Sequence, residues 1–490
     1  VCVTAVIWVT LKIILATIFY ILSSISEFPY FYGMSLLIAI NGLVAVQVSA
    51  GNLLFLFRHF LIWLLIFGTS SVWALYGGEV LVAPFGLEYQ NLSTTRTLVY
   101  GGFLALCGSL TGWSVSMLQQ RNERHGHFIL STRHQNKLRS AGLAIAFGFS
   151  FLYFYKAGGV VGGDASYGAN VRDIGFDFGV FNIFHYLGIS FLLISAIEKY
   201  QIRASYLWLA VASLSIGVLT GSRADYLPQL FILILLLFNH PVAEILSRRK
   251  RVVLLGWVIL AVFLLFLGYL VAFFLAFWRT GLPVDVVISR IFNSEDGGLI
   301  INEIFGHRML YMETGNMILG SLYAAIVNAG ERGLLWGGSY LNYLLTAPPA
   351  FLGLPRPLGL DESVEINGVL MAQGGIFEVA EAYWNFGLVG CFLIPFLISY
   401  FFGWLLRKGL HSSNYFFLTW YLVFGFMSFR AVWYQNFSYF RIMTVMLLLY
   451  LVSYFLFRWL VGNRCSGSTT AKTMDVNVLR NGALNGYFGY

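Results

Sequence analysis

A polytopic all-α membrane protein is the fold class this sequence predicts, on three observations. Hydrophobic residues make up 58% of the 490, charged residues 11%, and the mean hydropathy is +0.76. No single soluble core buries that much apolar surface. Apolar runs near the ~20 residues that cross a bilayer recur along nearly the whole chain. The ionisable residues gather instead in one polar interval, 278–375. The runs are continuous, without period-2 alternation, so helices are expected and not a barrel.

In order, about twelve spans are expected, at 3–23, 33–49, 53–76, 97–118, 141–156, 178–197, 204–220, 224–239, 252–277, 376–405, 414–430 and 441–461. The organisation is then nine spans in 1–277, a large loop with interfacial helices in 278–375, three spans in 376–462 and a disordered tail in 463–490. The first run lacks a small-residue cleavage site and reads as a retained span, although Lys12 lies inside it. Lys+Arg exceeds Asp+Glu, 30 against 22. In a membrane protein that excess marks cytoplasmic loops and not nucleic-acid binding. The basic turns at 119–140, 199–203, 240–251 and 407–408 all fall on one side, which makes that side cytoplasmic and the large loop external. Cys2, Cys107, Cys391 and Cys465 have neither metal-ligand spacing nor a disulfide framework. No metal or cofactor is expected. The glycines at 158–163 read as a flexible loop and not a phosphate cradle, and Asn91-Leu92-Ser93 is an isolated glycosylation triplet.

Arginines break the charge rule on the outer side. Arg96, Arg172, Arg223, Arg279, Arg290, Arg308, Arg332, Arg356, Arg430 and Arg441 all fall there, with Lys156 the one lysine. The planar guanidinium binds phosphate bidentately, so this set points to an anionic, phosphate-bearing substrate; pairing with local acids and snorkelling are the structural alternatives. Gly221-Ser222-Arg223-Ala224-Asp225 is a short outer turn that sets an arginine at the membrane surface. His307 and Arg308 precede a weakly amphipathic stretch, 309–327, expected to lie along the interface over a cavity. His307 is either a general base or an ordinary loop residue. Glu378, Glu381 and Asn385 share one face of the helix that opens the tenth span. Carboxylates entering an apolar span need partners or a wet cavity, so they are candidates for a base or for a Glu–Arg clamp.

The Gly221-Ser222-Arg223-Ala224 turn, the arginine-bearing start of the loop at Arg279, the run Pro348-Pro349 to Leu354-Pro355-Arg356-Pro357, and Glu381-Ala382-Tyr383-Trp384-Asn385-Phe386-Gly387 occur in that order. Together they resemble the bacterial O-antigen and oligosaccharide repeat-unit polymerases, the Wzy family. The resemblance implies a GT-C-like glycosyltransferase architecture in the bacterial inner membrane. Its activity would be transfer of a growing glycan from undecaprenyl pyrophosphate to a new lipid-linked repeat unit at the periplasmic face. Partners implied are undecaprenyl-pyrophosphate-linked glycans, membrane lipids and a chain-length regulator protein. On that reading Arg223, Arg308 and Arg356, with Arg279 and Arg290 in reserve, hold the leaving pyrophosphate. Glu381, then Glu378 or His307, takes the acceptor's proton. Trp336, Tyr340, Tyr383 and Trp384 are either sugar-stacking platforms or ordinary interfacial aromatics. An O-antigen ligase, which glycosylates a lipid A core, is the nearest alternative. A lipid-linked oligosaccharide transporter or flippase would instead show charges near mid-span, broken helices and two similar halves.

Overall fold

The computed structural model describes residues 2–22, 28–49, 52–76, 92–118, 132–156, 178–195, 197–198, 201–202, 204–218, 229–230, 233, 285–286, 313–351, 376–411, 415–433 and 436–466. They are almost entirely α-helical. In order the helices are α1 (Cys2–Leu22), α2 (Phe28–Val48), α3 (Leu53–Tyr76), α4 (Leu92–Leu118), α5 (Thr132–Lys156), α6 (Phe178–Ser195) and α7 (Ala204–Val218). After these come α8 (Glu313–Arg332), α9 (Gly338–Phe351), α10 (Glu378–His411), α11 (Tyr415–Trp433) and α12 (Phe437–Ser466). Two antiparallel two-residue strands, β1 (Ile197–Glu198) and β2 (Gln201–Ile202), join α6 to α7. The runs expected at 224–239 and 252–277 lie outside the described residues, isolated positions excepted.

Among the described residues, five helical segments are long and apolar enough to cross a membrane: Tyr30–Val48, Leu53–Ser71, Leu92–Leu118, Gln135–Tyr155 and Glu378–Leu410. Apolar side chains stand exposed along α1, α2 and α5, among them Ile7, Leu11, Leu36, Leu43 and Phe151. A backbone inside lipid must satisfy its own polar groups, and a helix does so without partners. Where the chain turns, side chains take over. Asn52 caps α3, its Oδ1 accepting the Phe55 N–H at 2.9 Å.

The bundle is built around α4, whose spanning window is 89% buried. Its closest neighbour is α10, and glycines set the distance. A Cβ on Gly108 or Gly112 would lie 2.1 Å from the carbonyl oxygen of Phe392 or Phe396. Small residues let helix backbones approach this closely, so dispersion between them holds the pair where lipid supplies no hydrophobic drive. Gly101 faces Leu388 and Cys391, while Gly403 meets Ser116, so the two helices run parallel. Next, α11 lies along α3 in the same sense, with Tyr421 donating to Asn52 Oδ1 at 2.8 Å and Trp433 Nε1 to the Leu61 carbonyl at 3.2 Å. The chain then reverses, and α12 descends against α11 through Phe424–Tyr439 and Phe416–Tyr450 ring contacts.

The segment expected as a single tenth span is two arms. Gly387 sits at φ 61°, ψ −148°, a conformation essentially closed to any residue with a Cβ. The chain folds back there: a Cβ on Gly390 would meet the Ala382 carbonyl oxygen at 2.1 Å. Arg58 bonds both Glu378 and Ser399, residues that a straight helix would separate by roughly 30 Å. The first arm, 378–386, is a half-helix of about 14 Å whose N-terminus lies deep in the bundle. The second arm, 388–411, does the crossing.

A second hairpin, α8–turn–α9, clips onto the first. Its turn uses three left-handed residues, Gly333 (φ 87°), Trp336 (φ 52°) and Gly337 (φ 90°). Leu335 and Trp336 donate their N–H groups to the Trp384 and Asn385 carbonyls at 3.0 Å, satisfying the open C-terminal end of the half-helix. The stretch expected to lie along the interface at 309–327 therefore packs into the bundle where it is described. Leu322 and Ala325 are buried, and Ser321 Oγ accepts the Phe377 N–H at 3.0 Å. The Pro348-Pro349 pair lies within α9, which stays helical through Phe351.

Candidate functional site

The half-helix carries Glu378, Glu381 and Asn385, and the structure brings all three to one wall with zero exposure. Their surroundings differ. Glu378, at the deep N-terminus, forms an ion pair with Arg58 of α3 through Oε1. Arg58 is itself fully buried and uses the rest of its fork on neutral oxygens. Nε donates to Tyr439 Oη at 3.2 Å, and Nη1 donates to Ser109 Oγ at 3.2 Å and Ser399 Oγ at 2.9 Å. One guanidinium thus ties α3, α4, both arms of α10 and α12 together. The other carboxylate oxygen of Glu378, Oε2, is buried without a hydrogen-bond donor among the described residues.

One turn further out, Glu381 has no cation at its carboxylate among the described residues. Ser339 Oγ donates to Oε1 at 2.7 Å, and Tyr343 and Asn436 lie against the same carboxylate. Asn385 locks this corner. Its Nδ2 donates to Ser339 Oγ and to the Glu381 carbonyl, both at 2.8 Å, and its Oδ1 accepts the Gly337 N–H at 3.0 Å. Asn436 at the head of α12 reaches back to the Glu378 carbonyl at 3.5 Å. Aromatic rings line the same corner: Tyr340 stacks on Phe386 and Phe440, and Tyr343 packs on Phe437. Burial, with Glu381 and Glu378 nearby, pushes the Tyr340 hydroxyl well above its ordinary range, so it stays neutral. Arg441 lies over the Phe437 ring, 4.4 Å from its centroid.

Polar contacts continue inward. Ser109 Oγ is 2.9 Å from Ser399 Oγ and 3.4 Å from His59 Nδ1. His59 Nε2 is 2.9 Å from Asn41 Oδ1, and Asn41 Nδ2 points at Cys107 Sγ, 3.8 Å away. Since Asn41 Oδ1 only accepts, the His59 proton sits on Nε2. A second buried cluster stands apart, where His185 Nε2 lies 2.6 Å from Ser213 Oγ and 2.9 Å from Ser150 Oγ.

Of the residues read from the sequence, the structure unites Glu378, Glu381 and Asn385. It puts Trp384 in the core behind them, buried on the half-helix, while Tyr383 is half-buried. Trp336 stands at the tip of the α8–α9 turn, 77% exposed. Four of the outer arginines are described: Arg96 in α4, Arg332 closing α8, Arg430 closing α11 and Arg441 in α12. His307, Arg223, Arg279, Arg290, Arg308 and Arg356 lie outside the described residues, as do Arg172 and Lys156's side chain. Sequence reasoning missed Arg58, Ser339, Asn436 and Tyr439. For Arg58 a signal existed: an arginine six residues into an otherwise apolar helix needs a buried partner or a wet cavity. Ser339 and Asn436 are polar residues of ordinary sequence context, and only the fold gives them meaning.

Comparison with known protein families, characterised proteins and solved structures finds no match to this chain. Among the described residues no cluster of His, Cys, Asp and Glu could hold a metal ion.

Proposed function

We propose that this chain is a membrane-embedded glycosyltransferase of the O-antigen repeat-unit polymerase type, working on glycans carried by undecaprenyl pyrophosphate in a bacterial inner membrane. The observation that carries the reading is the pair of buried carboxylates one turn apart in unlike environments. Glu378 is held by an arginine; Glu381 is surrounded by hydroxyl and amide groups. Two carboxylates set apart in this way divide labour readily, one as a fixed charge and one as an exchanger of protons. The Glu381-to-Gly387 motif, one of the four features that carry the resemblance, forms most of one arm and the turn of a broken hairpin, and its corner is lined by aromatic and hydroxyl side chains.

In the proposed reaction the hydroxyl of an incoming lipid-linked repeat unit lies against Glu381. Its oxygen bonds to the anomeric carbon of the growing glycan as the bond from that carbon to pyrophosphate breaks. Glu381 takes the hydroxyl's proton, and undecaprenyl pyrophosphate leaves with the electron pair of the broken bond. Arg223, Arg308 and Arg356, backed by Arg279 and Arg290, neutralise the leaving group. The Gly387 end of the bundle then faces the periplasm, and twelve spans complete the chain.

A second reading is favoured by one specific feature. A helix broken at Gly387, with an ion pair at the deep end of its first arm, is a feature of transporters that bind substrate at mid-membrane. One experiment separates the readings. Purified protein in detergent is given its lipid-linked repeat unit alone, and products are resolved by size. A ladder of longer glycans with release of undecaprenyl pyrophosphate supports the polymerase. Transfer only after lipid A core is added means a ligase. No transfer, with movement of the lipid-linked glycan across a liposome membrane, means a transporter.

A further inference from the structure

We infer that Arg58 is a positioning residue for the carboxylate pair: it fixes the half-helix at its depth and holds Glu378 as an ionised neighbour of Glu381. The inference rests on the proposed transfer reaction and adds a residue to it. Arg58 and Glu378 are 320 positions apart in sequence and both fully buried. A charge in that environment is tolerated only when paired and hydrogen-bonded, and the Arg58 fork meets this with four partners. The partners matter more than their number. Ser109 and Ser399 belong to the α4–α10 contact, where the two backbones pack most closely. Glu378 belongs to the half-helix and Tyr439 to α12, whose first turn brings Asn436 to Glu381. A single planar group therefore registers the half-helix and the α12 head against the α4–α10 contact.

The groups facing the pair from every packed element are consistent with this role. Among the described residues they are Tyr439 on α12 with Asn436 just before it, Tyr340 on α9, Ser109 on α4, Ser399 on the crossing arm, and Glu381 one turn along the half-helix. His59, next to Arg58 in α3, engages Ser109 and Asn41, so it belongs to the support of the network and leaves Glu378 to Arg58. Lysine at position 58 would keep the charge but lose the fork, and so could not reach Tyr439, both serines and Glu378 together.

The test uses full-length protein and three variants: Arg58→Lys, Arg58→Met, and the double variant Arg58→Met with Glu378→Met. The double variant removes both charges and leaves no unpaired ion, so it keeps the experiment readable if Arg58→Met alone does not fold. Transfer is measured as kcat and KM separately, since a misplaced catalytic group costs about 10²-fold in rate. Arg58→Lys should lose most of that in kcat with KM nearly unchanged. The double variant should melt close to the wild type yet stay slow. A double variant with wild-type kcat would overturn the inference by making the pair purely structural, and so would an Arg58→Lys variant with wild-type kcat.

A second readout does not depend on activity. Dicyclohexylcarbodiimide is membrane-soluble and adds an un-ionised carboxyl across its C=N bond, leaving an N-acylurea that mass spectrometry locates. Glu378 should resist it in the wild type and become reactive in Arg58→Met. Equal reactivity of Glu378 in the two proteins overturns the inference. If the wild type makes no glycan ladder, the proposed function fails, while the labelling result still decides whether Arg58 holds Glu378 ionised.

Discussion

Two buried polar clusters in this bundle look alike as lists of residues and differ in construction. In the first, Ser150 of α5, His185 of α6 and Ser213 of α7 meet through one imidazole nitrogen, between helices that run unbroken. In the second, Arg58, Glu378, Glu381, Ser339 and Asn385 meet where α10 is broken and a neighbouring hairpin clips onto it. The first holds three helices in register with short neutral bonds. The second contains an ion pair and a backbone conformation that only glycine adopts freely. Buried polarity alone thus marks no site; its coincidence with charge and irregular backbone does, because strain persists where function requires it.

The sharpest way to break this contrast is to remove the candidate base. Glu381→Gln keeps the shape and the Ser339 contact but cannot accept a proton. Transfer should fall by about 10²–10⁴-fold, the range for losing a general base, in protein that stays folded. Rates would be read from the glycan ladder. His185→Asn in the other cluster should leave the rate untouched. Equal losses in the two variants would erase the distinction between the clusters.

Next in size is the backbone break itself. Gly387→Ala should destabilise the protein by about 3 kcal/mol, the upper range for an L-residue forced into such a conformation, measured by denaturation in detergent. Gly108→Ala tests the close contact that α4 makes with the second arm of that hairpin. Its methyl group would meet the Phe392 carbonyl oxygen, and overpacking of this kind costs about 1–3 kcal/mol. In the three-helix cluster, His185→Ala should cost about 2 kcal/mol, by leaving Ser150 and Ser213 short of a buried partner, with no change in kcat.

The sequence made part of this picture readable. Continuous apolar runs predicted helices because a lipid-embedded backbone has few other options, and ten of the twelve described helices overlap those runs, while α8 and α9 fall in the interval read as a loop. The shared face of Glu378, Glu381 and Asn385 was also legible, since three- and seven-residue spacing survives any tertiary arrangement within one helix. What could not be read was the fold-back at Gly387. Apolar residues continue through it from both sides, so hydropathy merges the two arms. Nor could Ser339, Asn436 or Tyr439 be assigned, because each acquires its role by contact with residues distant in the chain. Arg58 lay between these cases: its cost in an apolar helix was visible, its partner 320 positions away was not.

The smallest expected effect concerns Trp336, and it separates backbone from side chain at the hairpin tip. Trp336 is 77% exposed and holds φ 52°, while its N–H caps the half-helix through Asn385. Any L-residue there bears a left-handed penalty of about 1–2 kcal/mol, whereas glycine bears little of it and loses only extra chain entropy. Trp336→Ala and Trp336→Gly remove the same ring and differ only in the Cβ. The glycine variant should therefore be the more stable by up to about 1 kcal/mol, measured side by side in detergent. If transfer activity drops equally in both, the ring contacts substrate or the membrane interface. If only alanine lowers it, the tip geometry that caps the Glu381 arm is what the reaction requires.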